Sequence, residues 1–249
     1  MSDPGSSTTE TQVVEAPKKP MKEVHFKGES RLLKVCHWCY EKQKPGVKPY
    51  QACGQCKEVI YCSKACQRAS WPFHKTSCRL NAETLKSGQI SDPVMAQLIA
   101  TFKRWHTGHL EVFKHAAICA LDLGRNPANL ENGYLFIQIK PKDDIDQLPM
   151  KRKFRVVTGI VLTEAEAGKI LDRFVGDGGK PIFDSSKEES EFLKKKGGLG
   201  ICTVIMIMQN LWEVVKIILP TPRDTTLRQM LNNWGDDWVW HLSAAVDVV

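Results

Sequence analysis

The chain has 249 residues, which is long enough for one or two domains with a sizeable core. Its 42% hydrophobic and 25% charged residues are ordinary for a soluble globular protein. No run of eighteen apolar residues exists; the nearest candidate, residues 201–219, is interrupted by Gln209, Asn210, Glu213 and Lys216. The first thirty residues also lack the apolar stretch of a secretory signal, so we expect an intracellular protein without a membrane partner, in the nucleus or the cytoplasm.

The net charge of +7 is concentrated in one segment. Residues 31–80 hold ten Lys or Arg and two Glu, whereas residues 81–249 hold 21 charges of each sign. Seven cysteine thiolates and two divalent metal ions in residues 31–80 would reduce that segment's balance of +8 to about +5. The basic residues are therefore weak support for nucleic-acid binding, which is the alternative class of ligand.

Residues 1–30 are predicted to form a disordered tail. They are rich in Ser, Thr, Pro, Glu and Lys and show no apolar periodicity. The basic stretch at residues 16–20 has too few Lys residues to indicate a nuclear signal.

Residues 31–80 hold seven of the nine cysteines, and their spacing predicts metal binding. In a reducing compartment clustered cysteines indicate a metal site or catalysis rather than disulfides. They form two Cys-x2-Cys pairs, one Cys-x3-Cys pair and one His-x3-Cys pair, which are enough for two four-coordinate zinc sites. The candidate ligands are Cys36, Cys39, Cys53, Cys56, Cys62, Cys66, His74 and Cys78. Sequential and interleaved pairing would both complete two tetrahedra.

The competing explanation is that these cysteines are thiols buried in a compact apolar core and bind no metal. A segment of fewer than fifty residues buries too little apolar surface to fold on that basis. Zinc binding supplies about 10–16 kcal/mol per structural site, which becomes folding free energy. The sequence therefore predicts two zinc ions per chain.

The run Tyr61-Cys62-Ser63-Lys64-Ala65-Cys66-Gln67, followed by Trp71, His74-Lys75 and Cys78, resembles the MYND-type zinc finger. The two preceding Cys-x2-Cys pairs also fit that family's pattern. The resemblance covers residues 36–78 and implies interleaved coordination. One ion would be held by Cys36, Cys39, Cys62 and Cys66, and the other by Cys53, Cys56, His74 and Cys78.

The same resemblance implies a protein partner, because MYND-type fingers act chiefly as modules that bind short proline-containing peptides. Gln67 and Trp71 match the helical positions that the family assigns to the peptide groove. An amide can bond to a peptide backbone, and an indole offers a flat face to proline.

Residues 81–249 are predicted to form an α+β domain of unknown function. Its elements suggest an antiparallel sheet of about four strands with helices on one face. In chain order they are a helix over 93–123, strands over 134–139 and 154–162, a helix over 163–174, a hairpin of strands 200–208 and 211–219, and a helix over 225–246. The stretch 185–196 between them is predicted as a loop or short helix.

Three histidines on the first of these helices, His106, His109 and His115, raise the question of a third metal. No cysteine or carboxylate except Glu111, on another face, lies at a matching spacing. We therefore expect these side chains to be hydrogen-bonded or exposed rather than to bind a metal.

The sequence shows no Gly-rich phosphate loop, nucleophile elbow or acid/base pair in residues 81–249. MYND-type fingers also occur in SET-type lysine methyltransferases, but the Asn-His-Ser-Cys and acidic-Tyr segments of those enzymes are not found here. The prediction is thus an adaptor or scaffold protein, not an enzyme, whose finger binds a partner protein. The alternatives are a nucleic-acid-associated regulator and an unrecognised enzyme activity in the C-terminal domain.

Overall fold

The structure is a computed structural model that describes residues 26–86, 92–175 and 179–248. Most of the predicted tail, including residues 16–20, lies outside the described residues. The described chain is packed from its start, because Phe26 is buried in a cluster with Ala96 and Ile99. In the described ranges, no helix combines the length and the apolar character needed to cross a membrane.

The described residues form six strands and eight α-helices. The strands are β1 Gln51–Ala52, β2 Ile60–Tyr61, β3 Tyr134–Pro141, β4 Phe154–Leu162, β5 Gly200–Met208 and β6 Leu211–Leu219. The helices are α1 Glu29–Leu33, α2 Lys64–Lys86, α3 Pro93–Gly108, α4 Leu110–Ala120, α5 Glu164–Val175, α6 Gly179–Lys194, α7 Pro222–Leu231 and α8 Trp238–Val248.

The cysteine-rich segment is built from α1, the short hairpin β1–β2 and the first part of α2. In the hairpin Gln51 pairs with Tyr61 and Ala52 with Ile60. Helix α2 begins three residues after Tyr61 and continues well beyond Cys78, to Lys86. The last element of the segment is therefore also the element that leads into the rest of the chain.

The four long strands form a mixed sheet in the order β4-β3-β5-β6. The pairs β3–β4 and β5–β6 are antiparallel, but β3 and β5 are parallel, with Leu135 opposite Val204. The prediction of an antiparallel sheet is therefore wrong at its centre. The reason is that α5 and α6 connect β4 to β5 and carry the chain over the sheet. Such a long crossover allows β5 to run parallel to β3, whereas a hairpin turn joins antiparallel strands.

Helices cover both faces of this sheet, whereas the sequence predicted them on one face. A large cluster joins α3, α4 and α8 to one face, with Trp105, Ile118, Ile137 and Leu242 fully buried. A smaller cluster joins α5 and α6 to the other face. Strand β5 is buried along nearly its whole length, and its unbroken apolar sequence is typical of a strand covered on both sides.

Two predicted helices are each divided. The helix predicted over residues 93–123 breaks at His109, whose backbone N–H bonds to the His106 carbonyl instead of continuing the α-helical ladder. The helix predicted over 225–246 breaks at Asn232, which is extended, and Gly235, which has a positive φ of 51°. The stretch 185–194, predicted as a loop or short helix, belongs to the 16-residue helix α6.

Candidate functional site

The first group of candidate zinc ligands unites Cys36 and Cys39 with Cys62 and Cys66 around the start of α2. Cys36 and Cys39 form the first of the two Cys-x2-Cys pairs, which we call knuckles. The Sγ atoms of Cys39 and Cys62 are 3.6 Å apart, and those of Cys62 and Cys66 are 3.4 Å apart. Cys36 is buried, whereas Cys39 and Cys62 are exposed at the edge of the segment.

The second group unites Cys53 and Cys56, which form the second knuckle, with His74 and Cys78 on α2. The Sγ atoms of Cys53 and Cys78 are 3.7 Å apart, and Cys56 Sγ is 3.5 Å from His74 Nε2. All four side chains are buried. His37 is in neither group; its ring packs edge-on against His74, with the ring centroids 5.4 Å apart.

Both groups have the donor chemistry and the spacing that zinc requires. The donor atoms within each group lie within 4.8 Å of one another. Zinc–sulfur bonds of about 2.3 Å in a tetrahedron place neighbouring sulfurs about 3.8 Å apart. The two clusters therefore fit two zinc ions, and their members are interleaved along the chain.

Each knuckle closes in the same way. Tyr40 follows the second cysteine of one knuckle and Lys57 that of the other, and both adopt a left-handed φ of about 60°. The Tyr40 N–H donates to the Cys36 carbonyl at 3.0 Å, and the Lys57 N–H donates to the Cys53 carbonyl at 3.1 Å. These turns hold the two sulfurs of a knuckle on one side of the chain.

The two thiols of the first knuckle differ: the pKa of Cys36 is lowered, whereas burial raises the pKa of Cys39. Burial opposes ionisation of Cys36, but backbone N–H groups of Cys39, Cys62 and Trp38 lower its pKa to about 7. A bound zinc ion would stabilise the thiolate form further. Metal binding and thiol ionisation are thus linked in this segment.

Gln67 and Trp71 lie one turn apart on α2, on the outside of the metal clusters. Trp71 is 43% exposed and Gln67 is half-buried. Because the two positions are spaced i and i+4, their side chains share one face of the helix.

A second site lies between the cysteine-rich segment and the mixed sheet, where the structure has a pocket of about 620 Å³. Its walls come from α1, the first knuckle with its flanking residues, the residues that follow the second knuckle, α2, α3, α5, α6 and the β5–β6 hairpin. The charged or titratable side chains among its lining residues include Glu58, Lys103, His106, Glu189 and Glu213.

Lys103 on α3 connects two carboxylates in this pocket. Its Nζ atom donates to Glu213 Oε1 at 2.7 Å and lies 3.6 Å from Glu58 Oε1. Asn81 donates to the other Glu58 oxygen at 2.6 Å. Burial raises the pKa of Glu58; burial alone would lower the pKa of Lys103, but the attraction of Glu213 and Glu58 raises it.

His106 lies one helical turn beyond Lys103 and is buried at the same pocket. Neither ring nitrogen has a hydrogen-bond partner within the described part of the chain. Burial lowers its pKa to about 4, so the imidazole is neutral at pH 7 and keeps one nitrogen lone pair. The expectation of a hydrogen-bonded or exposed His106 is therefore wrong.

The other two histidines of the predicted set differ from His106. The buried His109 uses Nδ1 to bond to the Trp105 carbonyl at 2.8 Å, and His115 contacts Cys119 and the ring of Trp234. Neither belongs to a group of metal-ligating side chains among residues 26–86, 92–175 and 179–248.

The sequence did not indicate the pocket. The charged residues named above lie in four separate parts of the chain, and Lys103 and Glu213 are 110 positions apart. The available signal was a lysine within the apolar helix α3 and a glutamate within the apolar strand β6, two places where burial makes an unpaired charge unfavourable.

Comparison with known proteins identifies the cysteine-rich segment. Residues 36–78 match the family model of the MYND finger, as the sequence predicted. These residues therefore form a MYND finger, a class of zinc-binding module that mediates protein interactions. The match covers only that part of the chain, and no solved structure matches the chain.

Three curated relatives illustrate the range of similar proteins. The SET domain and MYND-type zinc finger protein 6 of Schizosaccharomyces pombe is 38% identical over 76 residues, 30% of this chain and 15% of that protein. The N-lysine methyltransferase SMYD2-B of Danio rerio is 32% identical over 71 residues, 28% of this chain and 15% of the relative. The Dauer abnormal formation protein 25 of Caenorhabditis elegans is 44% identical over 48 residues, 19% of this chain and 12% of the relative.

These relatives correct the functional prediction. SMYD2-B and further relatives are named as lysine methyltransferases, which favours an enzyme over an adaptor or scaffold without activity. The spans that match are 15% or less of each relative's length, so the likeness rests on the finger region. The lack of the Asn-His-Ser-Cys and acidic-Tyr segments in residues 81–249 was not evidence against catalysis, because those segments belong to one enzyme fold.

Proposed function

We propose that the chain is an enzyme that methylates lysine side chains of proteins, and that the pocket beside the MYND finger is its active site. The observation that carries the proposal is the buried His106 with two unpartnered ring nitrogens, at the pocket against which a finger similar to those of lysine methyltransferases packs. The reaction class comes from those relatives, and the roles of the residues come from the chemistry of the pocket.

Methyl transfer to lysine requires an amine with a free lone pair. A substrate ammonium must lose a proton before its nitrogen can attack the methyl carbon of a sulfonium donor such as S-adenosylmethionine. The new N–C bond forms as the S–C bond breaks, and the donor leaves as a thioether. A neutral imidazole within reach of the ammonium can accept the proton.

In this scheme His106 is the base. It is neutral at pH 7 and buried, and the nearby Glu213 carboxylate, which raises its pKa, would stabilise the imidazolium that forms when it accepts the proton. Glu58 and Glu213 place negative charge on the same wall, which attracts a cationic side chain into the pocket. Lys103 fixes both carboxylates and is a positioning residue.

The MYND finger would hold the protein that carries the substrate lysine. In the proposal Cys36, Cys39, Cys62 and Cys66 bind one structural zinc ion, and Cys53, Cys56, His74 and Cys78 bind the other. All four ligand positions of each ion are filled, so the zinc ions position the finger and take no part in the reaction. Gln67 and Trp71 form the groove for a proline-containing segment, with residues 31–80 as the finger and 81–249 as the catalytic α+β domain.

The test is transfer of a labelled methyl group from S-adenosylmethionine to mixed histones and other lysine-rich proteins by the zinc-loaded full chain. His106→Leu removes the base and should reduce transfer at least about a hundredfold. His241→Leu, a change at a partly exposed histidine of α8 that does not line the pocket, is the matched control and should retain activity.

Trp71→Ala should keep both zinc ions and reduce transfer only to proteins that carry a proline-containing docking segment. If the wild-type chain methylates lysine no faster than His106→Leu does, the proposed methyltransferase activity is refuted. If wild type and Trp71→Ala use all substrates equally, the proposed peptide groove is refuted.

A further inference from the structure

A second, smaller cavity lies where the first zinc knuckle meets the end of α6. Its volume is about 300 Å³. Trp38 and Tyr40 come from the knuckle, Phe192 and Leu193 from the last turn of α6, and Glu189 from the turn before. Three aromatic side chains and one carboxylate thus surround one space.

Two rings of this cavity, those of Trp38 and Phe192, pack against each other. The ring centroids of Trp38 and Phe192 are 4.8 Å apart with an angle of 30° between their planes. Phe73 of α2 supports them, stacked on Trp38 at 5.9 Å and tilted against Phe192 at 5.6 Å. Because Cys39 also lines the cavity, this wall depends on the first zinc site.

Tyr40 adds the third ring through an unusual backbone conformation. Its φ of 60° is rare for a bulky residue, and the turn that closes the knuckle imposes it. The side chain is 45% exposed, so this side of the cavity is open to solvent.

A cation from the chain itself occupies the cavity. The Nζ atom of Lys196 lies over the ring of Phe192 at 4.3 Å from its centroid and over the ring of Trp38 at 5.3 Å. Both distances are within the range of cation–π attraction. Lys196 follows the end of α6 and precedes Gly197, whose φ is +90°, so its side chain can leave without unwinding a helix.

We propose that this aromatic cavity, formed by Trp38, Tyr40, Phe192 and Glu189, binds a methylated lysine side chain of another protein, and that Lys196 is an internal competitor for it. The cavity offers ring faces and one carboxylate, and that carboxylate already accepts a bond from Lys216 at 3.0 Å. It therefore suits a cation that needs few hydrogen bonds. A methylated ammonium is such a cation, whereas an unmodified ammonium is strongly hydrated.

Binding of a small probe tests this directly. Nε-trimethyllysine amide is titrated into the zinc-loaded full chain by calorimetry without any methyl donor, in parallel with unmodified lysine amide. We expect the trimethylated probe to bind about tenfold more tightly than the unmodified one. Lys196→Ala should tighten binding a few-fold because it removes the competitor. Lys195→Ala, at the adjacent exposed position, is the matched control and should bind as the wild type does.

Variants of the cavity wall complete the test. Phe192→Ala should weaken binding of the trimethylated probe about tenfold, whereas Phe192→Tyr keeps a ring and should retain most of the affinity. Zinc content is measured for each variant, so that loss of the finger is recognised. Equal binding of both probes, or wild-type affinity in a zinc-loaded Phe192→Ala variant, would overturn the proposal.

The inference does not depend on the proposed enzyme activity. If the chain binds trimethyllysine but transfers no methyl group, the proposed binding cavity stands and the proposed enzyme activity is refuted. If the chain methylates lysine but does not distinguish the two probes, the enzyme activity stands and the binding cavity is refuted.

Discussion

His106 differs from Trp105 and Lys103 on α3 because its side chain is buried and both of its ring nitrogens lack hydrogen-bond partners. Trp105 before it is fully buried but donates from its indole N–H to the Lys151 carbonyl at 3.1 Å. Lys103 is buried but compensated by two carboxylates. His106 has neither kind of compensation in the described residues. A buried imidazole without partners stays neutral, and this state has a consequence for stability.

The consequence is that His106 should make stability fall in mild acid. Its pKa is about 4 in the folded chain and about 6.5 when unfolded, so the unfolded chain binds the extra proton between those values. The free energy of unfolding should therefore fall as pH drops from 6.5 towards 4, by up to about 3 kcal/mol from this residue.

Urea denaturation of the wild type, His106→Leu and His241→Leu at several pH values measures this effect. All titrating groups except His106 are common to the wild type and His106→Leu, so the difference in slope between these two proteins isolates His106. The His106→Leu variant should lose part of the acid sensitivity, and His241→Leu should keep it. Parallel slopes for all three proteins would contradict the assigned environment.

At the scale of elements, the contact between β4 and α8 depends on a glycine. A Cβ atom added to Gly159 would lie 2.5 Å from Cη2 of Trp238, closer than real contacts allow. Trp238 is buried in the large cluster and holds the start of α8 against the sheet. Strand and helix thus pack directly because the strand has no side chain at this position.

Gly159→Ala should therefore destabilise the chain by about 1–3 kcal/mol through displacement of Trp238. Gly168→Ala is the matched control, because its new Cβ meets nothing within 4 Å and it lies inside helix α5. That substitution should stabilise by up to about 1 kcal/mol. Thermal unfolding and the near-ultraviolet signal of the tryptophans measure both effects; equal midpoints for the two variants would contradict this packing.

At the scale of the whole molecule, the MYND finger packs on the sheet domain through several contacts. Ser185 on α6 donates to the Phe73 carbonyl on α2 at 2.8 Å, and Trp38 stacks on Phe192. The pocket and the aromatic cavity both lie along this boundary. The finger, however, has a small apolar cluster of its own, whereas the sheet is covered by two separate clusters.

Removal of zinc should therefore unfold the finger and leave the sheet folded. We expect two zinc ions per purified chain by elemental analysis, because both clusters are complete. A strong chelator should abolish hydrogen-exchange protection at β2, while β5 keeps it, since zinc supplies about 10–16 kcal/mol per site of the finger's folding free energy. Loss of protection at β5 together with the finger would show instead that the chain unfolds as one unit.

The sequence by itself determined the features that depend on neighbours in the chain. The spacing of cysteines and one histidine over residues 36–78 was enough to predict a MYND finger with two zinc ions, because each ligand pair is a local turn. Strands β4, β5 and β6 have the predicted bounds, because apolar runs between turn residues are also local signals.

Only the tertiary structure decided which distant elements meet. The parallel pairing of β3 with β5 results from the crossover through α5 and α6, and no pattern within either strand encodes it. The pocket joins Lys103 to Glu213, and the aromatic cavity joins Trp38 to Phe192, across more than a hundred positions in each case. Such contacts are set by the packing of helices on a sheet. For this physical reason the zinc sites could be predicted from the sequence, whereas the pocket and the aromatic cavity could not.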